Sequence, residues 1–385
     1  SVIGRPSSIQ NPMRYFLIAG EKSGDQHAAG LMIRIREQDA QADFRFIGGD
    51  AMSEASGNEP LLHIDRLGFM GFTQLLGQAG RILKLFKVCH QGILEFKPDL
   101  IIPVDFGGFN LRLIRWAGIR GFRSVYYITP KIWAWMPSRG KKIARYCEKA
   151  LCILPFEPDF LSRYGADSHY TGNPVVEYTE PVVKQDPGQV RKRLGLPQKE
   201  IIALLPGSRN QEIRMLLPIM AGVIPHFPAF QFVIAACDPF PDSYYQNLLP
   251  GMPATLVRGK TLELLRASRS ALVTSGTATL EAALTGTPQV VCYRTSGISY
   301  LVARLLIRVK HISLVNLVLG RTCVDELIQG RLKVSTLQMS LERITAEGPR
   351  RQEILEGYRE MKIRLTDRKS AEEAARIIVA AAIRT

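Results

Sequence analysis

The sequence predicts an α/β protein of two doubly wound domains, on three observations. Short runs of β-branched, aromatic and other apolar residues alternate with helical stretches along most of the chain, the mark of repeated βαβ units. Several runs are apolar without alternation, as expected of parallel strands covered on both faces. The alternation breaks once, near the middle, in "TGNPVVEYTEPVVKQDPGQV", which is rich in Pro and polar residues and shows no helical period. The strands are too many for one compact sheet. The break therefore reads as a linker starting near Pro174, with the two domains facing each other across a cleft.

In chain order, the first-half strands are "YFLIAG", "FRFIGG", "DLIIPVD", "SVYYIT", "ALCILP" and "SHYTG". The second half supplies "IIALLPG", "FQFVIAA", "ATLVRG", "ALVTSG" and "QVVCYR". Ser370 to Arg384 is helical in pattern. Ser1–Pro12 reads as an added leader outside the fold, with Met13 as the natural start. The domains are then 13–173 and 174–365, followed by a C-terminal helix in 366–385 that packs on the first domain or is exchanged in a dimer.

Composition narrows the function classes. Of 385 residues, 46% are hydrophobic and 22% charged, enough apolar material for buried cores. The net charge of +15 favours anionic partners: nucleic acid, acidic membranes or phosphorylated substrates. No nucleic-acid-binding module is recognisable. The cysteines at 89, 147, 152, 237, 292 and 323 form no Cys-x-x-Cys pair and join no His cluster, which argues against zinc or a disulfide framework. No stretch reaches the ~18 apolar residues of a membrane span, and no signal-peptide pattern opens the chain. The expectation is a cytoplasmic protein, with attachment to a membrane surface left open.

In doubly wound sheets ligands sit at the carboxyl ends of the strands, which selects a short list of loops. In "IIALLPGSRNQEI", Gly207 permits a tight turn, Ser208 offers a hydroxyl and Arg209 a bidentate fork suited to phosphate. In "LVTSGTATLEAALTGTPQVV", a strand runs through small residues into a helix. Neither Gly-x-Gly-x-x-Gly nor Gly-Lys-Ser/Thr is present, yet the N–H groups of Gly276, Thr277, Ala278 and Thr279 would open that helix and can bind an anion. Thr277 and Thr279 can cap the helix or donate a hydroxyl. Glu281 is too far along for a capping box, which needs Ser or Thr where Ala278 stands. A carboxylate there suits ribose hydroxyls; the alternative is a surface Glu favoured by the helix dipole. Together these loops suggest a nucleoside diphosphate in the second domain.

The first half carries the candidate chemistry. In "AGEKSGDQHAAGLM", Glu21, Ser23 and Asp25 crowd a turn, where Ser23 or Asp25 can cap the next helix. In "PVDFGGFNLRL", Asp105 ends a strand and is either a general base or a turn-forming Asp. Trp133 and Trp135 are core, pocket wall or sugar platform. Between Arg66 and Leu94, the apolar residues Phe69, Met70, Phe72, Leu75, Leu76, Ile82, Leu83, Leu85 and Phe86 are interleaved with Arg81, Lys84 and Lys87. That mixture suits a membrane interface or acyl chains.

The ordered blocks "GEKSGD", "FIGGDAM", "MGF", "WAW" with "KKIARY", "LPFEP", "LLPGSR", "SGTATLEA" and "HISLVNLVLGR" resemble the lipid-A-disaccharide synthase family, the glycosyltransferases of bacterial lipid A assembly. The resemblance runs from Met13 to about Gln329. It implies a GT-B fold of two Rossmann-like domains, the first for acceptor and acyl chains, the second for UDP. It implies inverting transfer from UDP-2,3-diacylglucosamine to 2,3-diacylglucosamine 1-phosphate, giving UDP and a β-1,6-linked disaccharide 1-phosphate, with no cofactor and no required metal. It also implies peripheral attachment to the cytoplasmic face of the inner membrane of a Gram-negative bacterium. In some members the C-terminal segment is exchanged within a homodimer. Asn316 matches a family position near the nucleotide, and Glu21, Ser23 and Asp105 match positions tied to activity. Where many members carry a second acid, this chain has Gly108, so the base role falls to Asp105, with Glu21 as its competitor. Lys22, Asn173 and Val315 also depart from the usual Ala, His and Pro. The competing readings are a UDP-sugar 2-epimerase and an inactive nucleotide- or lipid-binding relative.

Overall fold

The computed structural model describes residues 12–67, 79–196, 199–249, 251–297, 300, 309–365 and 368–383. The chain divides into two compact units, Ser1–Pro174 with Asp367–Thr385, and Val175–Thr366.

The first unit is built on parallel strands. β1 (Arg14–Ile18), β2 (Asp43–Gly48), β3 (Leu62–His63) and β4 (Leu100–Pro103) form a sheet in the order β3-β2-β1-β4. β5 (Val125–Tyr127), β6 (Lys149–Cys152) and β7 (Ser168–Tyr170) pair in that order. Parallel bridges from Ile101 to Ser124 and from Val104 to Tyr127 join the two sets at β4 and β5. The unbroken apolarity of β1 now has its cause. Tyr15 and Leu17 pack one face, with Leu31, Met32 and Ile35 of helix Lys22–Gln38 and Ile377, Ile378 and Ala381 of the C-terminal helix Ser370–Ile383. Phe16 and Ile18 pack the other, with Leu85, Cys89 and Ile93 of helix Ala79–Phe96 and Phe109 and Leu113 of helix Gly107–Ile119.

The second unit holds one parallel sheet. Its strands are β8 (Ile201–Leu205), β9 (Gln231–Ala236), β10 (Thr255–Arg258), β11 (Ser270–Thr274), β12 (Gln289–Tyr293) and β13 (Asp325–Ile328), in the order β10-β9-β8-β11-β12-β13. β8 is buried throughout, between neighbours β9 and β11.

Two strands and two helices depart from the sequence reading. β3 has only two residues, too few for a pattern, and β13 is an edge strand whose "DELI" mixes acid with apolar residues. The stretch read as a structureless linker contains helices Pro174–Val183 and Pro187–Arg193. Pro there opens a helix rather than breaking one, because the first turn needs no N–H. Asp186 caps the second helix by accepting from the Gln189 N–H at 2.9 Å.

Candidate functional site

Each sheet has one place where the strand order reverses, between β1 and β4 in the first unit and between β8 and β11 in the second. Loops diverge there and leave room for a ligand. The candidate residues fall on the loops that flank these two points.

In the first unit, β1 leads into Glu21, Lys22 and Ser23, all exposed at the start of helix Lys22–Gln38. Neither Ser23 nor Asp25 caps this helix. Asp25 turns inward and is buried. Its carboxylate accepts from the N–H groups of Gly49 (2.6 Å), Ala51 (3.1 Å) and Met52 (3.3 Å), so it caps helix Asp50–Ser56 instead. β4 leads into Asp105 and Phe106, two consecutive non-glycine residues in the left-handed region, with φ of 44° and 48°. That conformation is costly and is held from several sides. The Asp105 N–H donates to the Tyr127 carbonyl (3.1 Å). The Asp105 carbonyl accepts from the Tyr126 hydroxyl (2.7 Å) and the Asn110 amide (2.8 Å). Gly20 lies so close to the Phe106 ring that a Cβ would overlap it. Asp105 is exposed as a residue, but desolvation of its carboxyl by the surrounding protein raises its pKa. Lys131 and the Phe106 N–H pull it down and Glu21 adds to the rise. Glu21, Asp105 and Lys131 thus share one electrostatic neighbourhood. Gly108, where the family often carries an acid, is exposed, and a Cβ there would touch nothing.

Sequence reasoning missed Glu157. It is buried, accepts from the Trp133 indole N–H (2.9 Å) and from the Ile153 (3.2 Å) and Leu154 (2.9 Å) N–H groups, and burial pushes its pKa up to about 7. Trp133 is therefore a buried strut. Trp135 is half-buried, with the Arg139 guanidinium 5.0 Å from its ring centre. The available signal was an acid between Phe and Pro just after an apolar strand.

In the second unit, the loop after β8 carries Gly207 at φ 111°, then Ser208 and Arg209, both exposed. Gly207 abuts the Glu212 side chain, which also accepts from Arg209 at 3.1 Å. The neighbouring loop, after β11, enters helix Ala278–Leu284 through Gly276 and Thr277. The N–H groups of Gly276, Thr277 and Ala278 have no partner among the described residues, but that of Thr279 is taken by the Gly276 carbonyl (3.1 Å). Thr277 makes no side-chain cap. Thr279 is fully buried, donating to the Gly276 carbonyl (2.8 Å) and accepting from the Leu314 N–H (3.3 Å), so it shapes the loop from beneath. Glu281 is half-buried, and burial raises its pKa while a hydrogen bond from Tyr178 lowers it.

Asn316 is fully buried on helix Leu314–Leu319. Its amide donates to the Val324 carbonyl (2.9 Å) and Glu326 (2.8 Å) and accepts from the Cys323 (2.7 Å) and Val324 (3.0 Å) N–H groups. With both amide ends engaged, it braces the turn before β13. A cavity of about 500 Å³ runs beside it along β13, lined by Lys310, His311, Glu326, Arg331 and Arg343 among others; Arg209 and the Gly276–Thr279 loop lie outside its lining.

On helix Ala79–Phe96, Leu83 is 68% exposed and flanked by exposed Lys84 and Lys87, while Leu85 is buried and Phe86 stacks on Phe109 at 4.2 Å. Phe69, Met70, Phe72, Leu75, Leu76 and the Arg81 side chain lie outside the described residues, as does most of the leader. Among the described residues, no three His, Cys, Asp or Glu side chains gather as a metal would require, and no helix is long and apolar enough to cross a membrane.

The comparisons agree with this layout. A family profile described as lipid-A-disaccharide synthetase matches residues 15–381. The lipid-A-disaccharide synthase of Myxococcus xanthus is 39% identical over 380 residues, covering 96% of this chain and 98% of that protein. The one from Pseudomonas aeruginosa is 34% identical, covering 89% and 92%. Among solved structures, a UDP-GlcNAc 2-epimerase from Neisseria meningitidis bound to UDP-GlcNAc superposes with a TM-score of 0.62 at 13% identity, covering 97% of this chain and 100% of that one. A glycotransferase of kitacinnamycin superposes at 0.64 and 12%, covering 96% and 99%. At such identities these likenesses establish the fold alone, the two Rossmann-like units of the GT-B class. With nearly its whole length matched by the family profile and by relatives of this identity, the chain belongs to the lipid-A-disaccharide synthetase family.

Proposed function

We propose that the protein is a lipid-A-disaccharide synthase, transferring diacylglucosamine from its UDP derivative to the 6-hydroxyl of diacylglucosamine 1-phosphate, with UDP as the leaving group. The observation that carries the assignment of roles is the pairing of contents at the two reversal points: an accessible acid of raised pKa at one, an arginine and unpartnered N–H groups at the other.

Asp105 takes the proton from the acceptor hydroxyl. The raised pKa of Asp105 strengthens its carboxylate as a base. The hydroxyl oxygen attacks the anomeric carbon from the face opposite UDP, and the C–O bond to the diphosphate breaks. The charge that develops on UDP meets the Arg209 guanidinium and the N–H groups of Gly276, Thr277 and Ala278, with Ser208 beside them. These fixed donors need no reorganisation as the charge appears. Glu281 receives the ribose hydroxyls. Asn316 and Thr279 act one layer back, holding the loops in shape.

The substrates carry acyl chains, and the Leu83, Lys84 and Lys87 face of helix Ala79–Phe96 suits an anionic membrane surface. Each basic residue near such a surface contributes ~1 kcal/mol, and each buried CH₂ ~0.8 kcal/mol. We place the enzyme at the cytoplasmic face of the inner membrane by this route. Sedimentation with anionic vesicles checks it: Leu83→Ser with Lys84→Ser and Lys87→Ser is expected to reduce the bound fraction several-fold. Binding equal to wild type removes this helix from the membrane contact.

The reaction is tested by following UDP release from UDP-2,3-diacylglucosamine in detergent micelles with and without the acceptor. Release that depends on the acceptor and yields a disaccharide is the expected result. UDP release or sugar interconversion indifferent to the acceptor contradicts the proposal.

A further inference from the structure

Tyr178 stands on helix Pro174–Val183, the first helix of the second unit, and Glu281 on helix Ala278–Leu284. Although 103 residues apart, they meet: the Tyr178 hydroxyl donates to Glu281 Oε1 at 2.8 Å. Glu281 Oε2 has no hydrogen-bond partner among the described residues. Tyr178 is 40% exposed, so its ring is not held there by core packing alone.

We infer that Tyr178 is the positioning residue that makes Glu281 a reader of ribose. The inference rests on the proposed contact between Glu281 and the nucleotide sugar. A glutamate has three side-chain torsions, and a half-buried carboxylate with no anchor samples several of them. A hydrogen bond to one oxygen selects a single arrangement and leaves the other oxygen to accept from a sugar hydroxyl. The same bond opposes the effect of burial, which favours the neutral acid. A protonated Glu281 would be a poorer acceptor for a diol. Tyr178 thus fixes the direction of the group and opposes the rise in pKa that burial imposes. The ligand class is a ribonucleotide, read at its 2′- and 3′-hydroxyls.

The experiment is calorimetric titration of the full chain with UDP and with 2′-deoxyUDP, in wild type and Tyr178→Phe. Wild type is expected to prefer UDP by ~10-fold or more, since a site built to bond a hydroxyl rejects the analogue lacking it. In Tyr178→Phe the preference is expected to fall to ~3-fold or less, with affinity for 2′-deoxyUDP within ~2-fold of wild type. A tyrosine that only supports the fold would weaken both nucleotides alike and leave the ratio unchanged; that result, or a ratio equal to wild type with both affinities intact, overturns the inference. If wild type itself does not distinguish the two nucleotides while binding UDP, the assignment of Glu281 to the ribose fails, and the inference falls with it.

Discussion

Asp105 and Glu157 show how two carboxylates in one unit come to different behaviour. Asp105 is accessible at a strand end, with Lys131 and Glu21 acting on it from opposite directions. Glu157 is sealed in, 2% exposed, and tied to three N–H donors. Its pKa of about 7 lies above the ordinary 4.5 of a free Glu. Between those values the folded protein holds a proton that the unfolded chain has released, so the stability owed to this group is full below about pH 4.5 and declines as pH rises toward 7. Glu157→Gln cannot titrate. Its stability relative to wild type, from urea unfolding at several pH values, is expected to improve by an amount on the order of a few kcal/mol between pH 4.5 and 7. A gap constant over that window contradicts the buried titration. The place of Asp105 was legible because the acid follows a continuously apolar strand. Glu157 was not: its partner Trp133 lies 24 residues away, and nothing local marks the pair.

At the scale of elements, strands buried on both faces, such as β1, β4 and β8, were read from unbroken apolarity, while the partly buried β2, β7 and β10 were read from their aromatic or β-branched residues. β3 and β13 escaped because a strand of two residues shows no pattern and "DELI" opens on two acids. Prolines misled at the middle of the chain, since the same residue ends one helix and begins another. The loops were legible in position but not in detail. Asp25 caps a helix two elements away and Thr279 faces Leu314, pairings that join segments distant in sequence, while Asn316 turns inward onto the turn that follows its own helix. The turn at Gly20 gives a sharp test. Gly20→Ala would drive a Cβ into the Phe106 ring, whose backbone is strained together with that of Asp105. The strain and displacement should cost ~1–3 kcal/mol of stability. Turnover is expected to drop at least ~10-fold through misplacement of Asp105, with UDP affinity unchanged, because the loops proposed to hold the nucleotide belong to the other unit. Turnover equal to wild type would show that the position of Phe106 does not matter to the acid.

For the whole molecule, the family was legible from many short blocks in fixed order, and the chain's end follows one of the two routes expected of it, packing on the first domain. Ser370–Ile383 leaves the second unit and completes the core of the first, burying Ala374, Ile378 and Ala382 against helix Lys22–Gln38, and the Ala381 carbonyl accepts from Arg123 at 2.6 Å. Each large buried side chain contributes ~1.5–3 kcal/mol, so loss of this helix removes much of a typical domain stability of ~5–15 kcal/mol. A chain ending at Leu365 is expected to lose protease resistance in residues 13–173 while still binding UDP; an intact first unit would contradict its place in that core. The proposed mechanism divides the labour, with the base in one unit and the diphosphate site in the other. Its most direct test is to measure turnover and UDP dissociation constant together on Asp105→Ala and Arg209→Ala. Asp105→Ala is expected to lose at least ~10²-fold in turnover with UDP affinity within ~2-fold of wild type, and Arg209→Ala to weaken UDP binding ~10-fold or more. Undiminished turnover in Asp105→Ala, or unchanged UDP affinity in Arg209→Ala, would contradict it.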